Sequence, residues 1–111
     1  MAETTIAYSS GGLSPDHWKT IRQILEQQMH VDEAILFGSR AKGNYKEGSD
    51  IDIAVKGVSL DRQDIIALSA RFEDSLLPYF VDILSYSAIQ NEALKEHVDR
   101  IGILVYKRPA L

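Results

Sequence analysis

The apolar residues of this chain recur with two spacings, one typical of helices and one typical of strands. Steps of three and four residues predict three helices, each with one apolar stripe facing the core. The first helix starts after an N-cap at Ser14, the second runs from Asp61 to about Leu77, and the third opens with a capping box at Ser87 and Gln90. Their predicted stripes are, in order, Trp18, Ile21, Leu25 and Met29; Ile65, Leu68, Phe72 and Leu76; and Leu94 with Val98.

Short apolar or alternating runs predict four strands. These runs cover residues 34–37, 51–55, 79–85 and 103–106. In the second run Ile51, Ile53 and Val55 share one face, and Asp52 lies on the other. Residues 38–49, rich in Gly, Ser, Asn and Lys, predict a loop with at most one short helical turn. The order α-β-β-α-β-α-β predicts an α+β (mixed α/β) fold, a mixed sheet of about four strands packed with about three helices.

The length and composition fit one globular domain. The chain has 111 residues, of which 45% are hydrophobic and 25% are charged. Ser9-Ser10-Gly11-Gly12 has linker composition, so we expect a flexible tail over residues 1–12 and a single domain over residues 13–111. The absence of cysteine excludes disulfides, thiol catalysis and cysteine-based zinc sites. The net charge of −4 argues against strong nucleic-acid or membrane binding by charge alone.

No apolar run is long enough for a membrane span, and no signal peptide is visible at the start of the chain. We therefore expect a soluble, cytoplasmic protein that makes no membrane contact.

Three aspartates are the first candidates for chemistry. Asp50 and Asp52 are two residues apart on a predicted strand, so both side chains lie on one face, where like charges repel. A divalent cation such as Mg²⁺ or Mn²⁺ would relieve this repulsion. Asp82 would point to the same side of a neighbouring strand, because Val81 and Ile83 turn to the core. Three carboxylates of this kind predict a two-metal site; the alternative for each is an exposed strand position.

The loop after the first strand is the second candidate. Gly38 would let the backbone approach a ligand, and Ser39 with the N–H groups of a following turn would bind phosphate oxygens. Arg40 and Lys42 add positive charge, and phosphate contact, partner contact and solvated loop charge stay open for both. The residues after Gly43 are not Lys and Ser or Thr, so the loop is not a P-loop.

Four further polar residues are interpreted as structural. His17, His30 and His97 have no spacing that suggests a metal site, and surface or structural roles are expected for them. Tyr45, within the glycine-rich loop, could stack on a base, but we interpret it as a loop anchor.

Gly38-Ser39 and Asp50-Ile51-Asp52, with ten residues between them, resemble the Gly-Ser…Asp-x-Asp motif of the DNA polymerase β-like nucleotidyltransferases. The wider sequence over residues 37–53 and the ending over residues 101–106 resemble the minimal nucleotidyltransferases, or MNT group. These are the small partners in HEPN–MNT toxin–antitoxin pairs. The resemblance spans roughly residues 14–107. Lys42 stands where an arginine is common in the group, which keeps the charge but loses bidentate phosphate geometry.

The resemblance implies a polymerase β-like fold and a set of roles. Gly38 and Ser39 would hold the triphosphate of ATP or another nucleoside triphosphate. Asp50, Asp52 and Asp82 would coordinate Mg²⁺ or Mn²⁺, and Asp82 would also deprotonate the acceptor. It further implies transfer of AMP to a tyrosine hydroxyl of a HEPN-type toxin encoded nearby, within a hetero-oligomer, with release of pyrophosphate.

Two other functions are weighed against this one. The chain could be a catalytically inactive binding module that neutralises or scaffolds a HEPN-type partner by contact alone. Asp-x-Asp also occurs in phosphatases of the haloacid dehalogenase type, but there the apolar strand precedes the carboxylates, whereas here a loop precedes Asp50.

Overall fold

The computed structural model describes residues 10–110 of the chain. Eight helices and strands alternate along it and form the predicted α+β fold. One of them is a short helix within residues 38–49, where the sequence predicted a loop with at most one helical turn. The helices are α1 (Pro15–Gln27), α2 (Gly38–Lys42), α3 (Arg62–Glu73) and α4 (Glu92–Ile101). The strands are β1 (Glu33–Phe37), β2 (Ile51–Lys56), β3 (Val81–Ser85) and β4 (Ile103–Lys107).

The four strands form one mixed sheet in the order β3-β2-β1-β4. β1 is antiparallel to both β2 and β4, whereas β2 and β3 are parallel. The parallel pair is possible because α3 carries the chain back between the two strands. The end of β1 and the starts of β2 and β3 therefore meet at one end of the sheet.

The two faces of the sheet are covered unequally. α1 and α3 cover one face, where Trp18, Leu25 and Leu68 are fully buried against the inward side chains of the strands. α4 covers part of the other face, where Val98 packs on Phe37 and Ala54. Asp52 and Asp82 lie on this second face, beyond the small cluster under α4. The fold therefore leaves the end of one face open for polar groups.

The predicted apolar stripes extend too far at two helix ends. α1 ends at Gln27, and Met29 beyond it is 79% exposed. α3 ends at Glu73 rather than near Leu77, and Leu76 is 98% exposed. The cause at α3 is local, because the Ser75 hydroxyl donates to the Phe72 carbonyl at 2.6 Å and turns the chain out of the helix.

The predicted capping box of the third helix is wrong. Ser87 lies in a 3-10 turn over Tyr86–Ala88, and α4 begins after Asn91. The Asn91 side chain accepts the Leu94 N–H at 3.0 Å and is the actual N-cap. The third strand also starts at Val81, later than predicted.

The predicted tail lies mostly outside the described residues, and its flexibility stays a prediction. Within them, Ser10–Gly12 form a 3-10 turn. In the part of the chain that the structure describes, no helix is long and apolar enough to cross a membrane.

Candidate active site

Strand register brings two of the three predicted carboxylates together. Phe37 at the end of β1 pairs with Asp52, and Asp52 pairs with Asp82 on the parallel strand. Partners in register on adjacent strands share a face, so both carboxylates lie on the same side of the sheet, and both are half-buried. Asp50 immediately precedes β2, and its side chain is exposed. The three positions thus form one acidic edge.

Asp52 lies where its own negative charge is disfavoured. Burial raises the pKa of the Asp52 carboxyl, and the neighbouring charges of Asp82 and then Asp50 raise it further. A positive charge on the His97 ring would act in the opposite direction and lower the same pKa. A carboxylate that the protein partly desolvates and surrounds with like charge is poised for a cation or a proton.

Gly38 fits its place for two independent reasons. Its φ is +73°, a left-handed conformation that side chains with a Cβ rarely adopt. A Cβ at this position would also overlap the carboxylate of Asp52. The turn from β1 into α2 can therefore press its backbone against the acidic edge only because residue 38 is glycine.

α2 places the remaining predicted phosphate contacts beside this turn. Ser39 is half-buried in the first turn of the helix. Lys42 is exposed at its last position, before the left-handed Gly43 ends the helix. Ser39 is thus adjacent to the acidic edge, whereas Lys42 lies one turn farther along.

Arg40 lies inside the protein, where backbone carbonyls accept its hydrogen bonds, and its contact with phosphate stays a prediction. Its side chain is only 3% exposed, and its Nε and Nη2 donate to the Ser49 carbonyl at 3.0 and 2.8 Å. Its Nη1 donates to the Gly11 carbonyl at 2.7 Å. The guanidinium carbon lies over the rings of Tyr45 and Tyr79 at 5.3 and 4.7 Å. Arg40 therefore closes the loop between β1 and β2, and Tyr45 serves as an anchor of that loop.

The histidines divide into two structural residues and one at the site. His17 packs edge-on against Tyr79, with 5.4 Å between ring centroids. His30 bonds the carboxylate of Asp64 at 2.9 Å. His97 on α4 is the residue that sequence reasoning missed, because its Nε2 accepts the Gly38 N–H at 3.1 Å.

His97 fixes the Gly38 turn through this hydrogen bond. Its ring also meets Phe37 edge-on, at 6.3 Å between centroids. For Nε2 to accept a hydrogen bond, the neutral ring carries its proton on Nδ1. The only available sequence signal was its position on the inner side of the third helix, one residue before Val98, and that signal does not specify a contact.

The donor set fits a hard divalent cation that is shared with a substrate. Carboxylate oxygens are the ligands such cations prefer, and a cation would relieve the repulsion at Asp52. Within residues 10–110, no group of three acidic, histidine or cysteine side chains is arranged to hold a metal ion by itself. The three predicted aspartates are therefore not gathered into a complete metal site by protein side chains alone.

Comparison with known proteins gives matches over most of the chain. The sequence profile of the family described as polymerase beta, nucleotidyltransferase, matches residues 19–110. A relative named "Probable protein adenylyltransferase MntA" from Haemophilus influenzae is 31% identical over 91 residues, which are 79% of this chain and 77% of that protein.

Solved structures of related complexes share the fold. A toxin–antitoxin structure with AMP-PNP superimposes with a TM-score of 0.68 and 25% identity, over 82% of this chain and 73% of the other. A tri-AMPylated HEPN toxin of Shewanella oneidensis in complex with its MNT antitoxin gives a TM-score of 0.62 and 22% identity, over 82% and 70%.

Proposed function

Because the chain belongs to the polymerase beta nucleotidyltransferase family, we propose that it is a protein adenylyltransferase that acts as the antitoxin of a HEPN-type toxin. Its substrate is ATP, its acceptor is a tyrosine hydroxyl of the toxin, and its metal is Mg²⁺. The observation that carries the proposal is the in-register pair of Asp52 and Asp82 beside the glycine turn at Gly38. The relatives named as an adenylyltransferase and as toxin–antitoxin complexes support the acceptor and the partner.

The order of the strands suggests how the substrates would line up. The turn after β1 carries Ser39, β2 carries Asp52, and β3 carries Asp82. The triphosphate would lie on the Ser39 side, the α-phosphate at Asp52, and the acceptor hydroxyl at Asp82. This places acceptor and leaving group on opposite sides of the phosphorus, as in-line displacement requires.

Each residue then has a defined task. Asp82 accepts the proton of the acceptor hydroxyl, whose oxygen forms the new bond to the α-phosphorus. The bond from that phosphorus to its bridging oxygen breaks, and pyrophosphate leaves. The Gly38 N–H is already used by His97, so the Ser39 hydroxyl takes the phosphate contact and Gly38 provides the close approach to Asp52. Asp52 and Asp82, with Asp50 beside them, would hold Mg²⁺ together with the substrate phosphates, and the metal would supply charge stabilisation for the attacking and departing oxygens.

The test is the mass of the partner. The purified HEPN-type protein encoded beside this chain is incubated with the chain, ATP and MgCl₂, and its intact mass is recorded. We expect an increase of one or more AMP units, located on tyrosine by peptide mapping. Asp52→Asn should abolish the increase, whereas Asp32→Asn, at the opposite end of the sheet, should not.

Two other results would contradict the proposal in different ways. A stable complex in which the mass of the partner never changes would favour neutralisation by contact alone. AMP found on a nucleic acid and not on protein would leave a nucleotidyltransferase with a different acceptor.

A further inference from the structure

An apolar groove runs along the free edge of the sheet and begins at the acidic edge. It lies between α3 and β3 and encloses about 310 Å³. Its lining residues are Ser69, Phe72, Glu73, Leu77, Tyr79, Phe80, Val81, Asp82 and Ile83. One member of this set, Asp82, is also the carboxylate that pairs with Asp52. The groove and the candidate active site therefore adjoin at Asp82.

The alternation of β3 places the side chains of the lining residues on two faces of the sheet. Val81 and Ile83 point towards α3 and are buried. Phe80 and Asp82 occupy the alternate positions and point to the face that carries Asp52. Since β3 is the outermost strand of the described sheet, a chain lying in the groove can pass around this edge and reach Asp82.

Phe80 is exposed in a way that the fold does not require. It is 60% exposed, two residues from Asp82, and it continues the strand, because its carbonyl accepts the Ile51 N–H at 2.9 Å. Leu76, in the segment that leads to β3, is 98% exposed. Large apolar side chains left in water beside a candidate catalytic group are typical of a binding surface.

The charges of the groove favour a protein acceptor over a nucleic-acid acceptor. Among the described residues, the charged ones that line it are Glu73 and Asp82, both acidic, and none is a lysine or an arginine. An acidic, aromatic groove repels the phosphates of a nucleic acid. It suits an aromatic side chain that carries a hydroxyl, presented by a protein segment with basic flanks.

We propose that the α3–β3 groove is the docking site for the acceptor, a tyrosine-bearing and basic segment of the partner protein. The tyrosine ring stacks against Phe80 and its hydroxyl meets Asp82, while the flanking residues lie in the groove near Glu73. In the reaction the tyrosine oxygen bonds to the α-phosphorus of ATP, its proton passes to Asp82, and pyrophosphate leaves. This inference rests on the proposed function, since it assigns the acceptor side of the same site.

Phe80→Ser tests the groove, with Ile66→Ser as the matched control. Ile66 is 53% exposed on α3 and is not among the groove-lining residues. Initial rates of AMP transfer to the HEPN-type partner are measured against partner concentration and, separately, against ATP concentration. We expect Phe80→Ser to raise the KM for the partner about tenfold or more, as truncation of an aromatic anchor does. The KM for ATP should stay unchanged, and Ile66→Ser should match the wild type.

Glu73→Lys supplies the electrostatic arm of the test. Glu73 is exposed, so the change should not disturb folding. It should raise the KM for the partner, with the difference from the wild type shrinking as salt is added.

The outcomes separate the groove from the proposed function. If the wild type transfers AMP but Phe80→Ser leaves the KM for the partner unchanged, the groove assignment is overturned and the function stands. Equal increases in both KM values would also overturn it, because they would indicate general damage to the site. If the wild type modifies an RNA oligonucleotide or no substrate at all, the proposed function fails and the groove assignment fails with it.

Discussion

Asp52 is a residue whose charge opposes folding. It is half-buried, and its pKa is raised by burial and by the charges of Asp82 and Asp50. An ionised carboxylate in such a place destabilises the folded chain until a cation or a substrate compensates for it. This is the pattern expected of a residue kept for chemistry rather than for stability.

Asp52→Asn should therefore stabilise the ligand-free protein while it abolishes AMP transfer. We expect a gain of about 1 kcal/mol in the free energy of unfolding, the usual size for relief of active-site strain. Urea unfolding without metal or nucleotide measures it. Asp32→Asn is the control and should show no gain. A marked loss of stability in Asp52→Asn would instead mean that the carboxylate has a structural role.

Arg40 shows the opposite case, a charged residue at the site that serves the fold. Its guanidinium joins the Gly11 and Ser49 carbonyls and packs over two tyrosine rings. Arg40→Ala should lower the free energy of unfolding by about 2–4 kcal/mol, since charge-assisted hydrogen bonds are lost inside the protein. Arg40→Lys should not recover the lost stability, because lysine lacks the planar guanidinium group that donates several hydrogen bonds at once.

Thermal unfolding measures this effect, with Lys42→Ala as the control. Lys42 is exposed two residues away on the same helix, and its loss should change stability by less than about 0.5 kcal/mol. Unchanged stability in Arg40→Ala, together with a higher KM for ATP, would contradict this structural role and favour the predicted contact between Arg40 and phosphate.

At the scale of the element, α3 depends on a cap that senses pH. Asp61 and Asp64 form a reciprocal capping box, and Asp64 also bonds His30 and Gln28 across the gap to the end of α1. The pKa of Asp64 is lowered to about 2, chiefly by the hydrogen bond from the Asp61 backbone N–H and then by the hydrogen bond with His30. The ionised cap thus links the start of α3 to the segment that follows α1.

A lowered carboxyl pKa makes stability depend on pH in a known direction. Above about pH 5, Asp64 is ionised in both the folded and unfolded states, and its contribution is fully present. As the pH falls from about 5 towards 2, the unfolded chain takes up the proton first and the contribution is lost.

The melting temperature of Asp64→Asn should therefore lie below that of the wild type at pH 5–7. The two should converge as the pH approaches 2. Asp16→Asn, in the exposed first turn of α1, should show a smaller difference with less dependence on pH. A constant gap between Asp64→Asn and the wild type down to pH 2 would contradict the assignment.

How far an element could be predicted depended on whether its signal was local. Ser14 begins α1 as predicted because the N-cap, the proline and the apolar spacing lie within one turn. The end of α3 was missed because a single hydroxyl, that of Ser75, competes with continued apolar spacing at Leu76. The spacing of apolar residues alone does not show whether the helix continues to Leu76 or ends before Ser75.

At the scale of the whole molecule, the candidate site combines local and distant residues, and the sequence pattern could place only the local ones. Asp50, Asp52 and Asp82 follow from strand alternation, and Gly38 from its place after an apolar strand. His97 is 59 residues from the Gly38 N–H that it accepts. The burial of Arg40 depends on carbonyls in two separate segments. Contacts of this kind are set by tertiary packing, on which the sequence pattern is silent.

Ligand binding should be visible in the stability of the entire chain. A ligand that binds only the folded state adds about 2.7 kcal/mol at one hundred times its Kd. We expect Mg²⁺ with ATP to raise the melting temperature by several degrees, and Mg²⁺ alone to raise it less, because phosphates complete the metal coordination. Asp52→Asn should lose the increase given by Mg²⁺ with ATP. No shift at millimolar Mg²⁺ and ATP would count against the site.

The parallel pairing of β2 and β3 also has a consequence for folding kinetics. Asp52 and Asp82 are thirty residues apart along the chain and meet only when this pair forms in register. Non-local parallel pairing forms slowly, because the chain loses loop-closure entropy before the stabilising contacts between the strands form. A slip of one residue would present Val81 or Ile83 where Asp82 belongs. Catalytic competence should therefore be among the last properties that a refolding chain regains, after its helices have already formed.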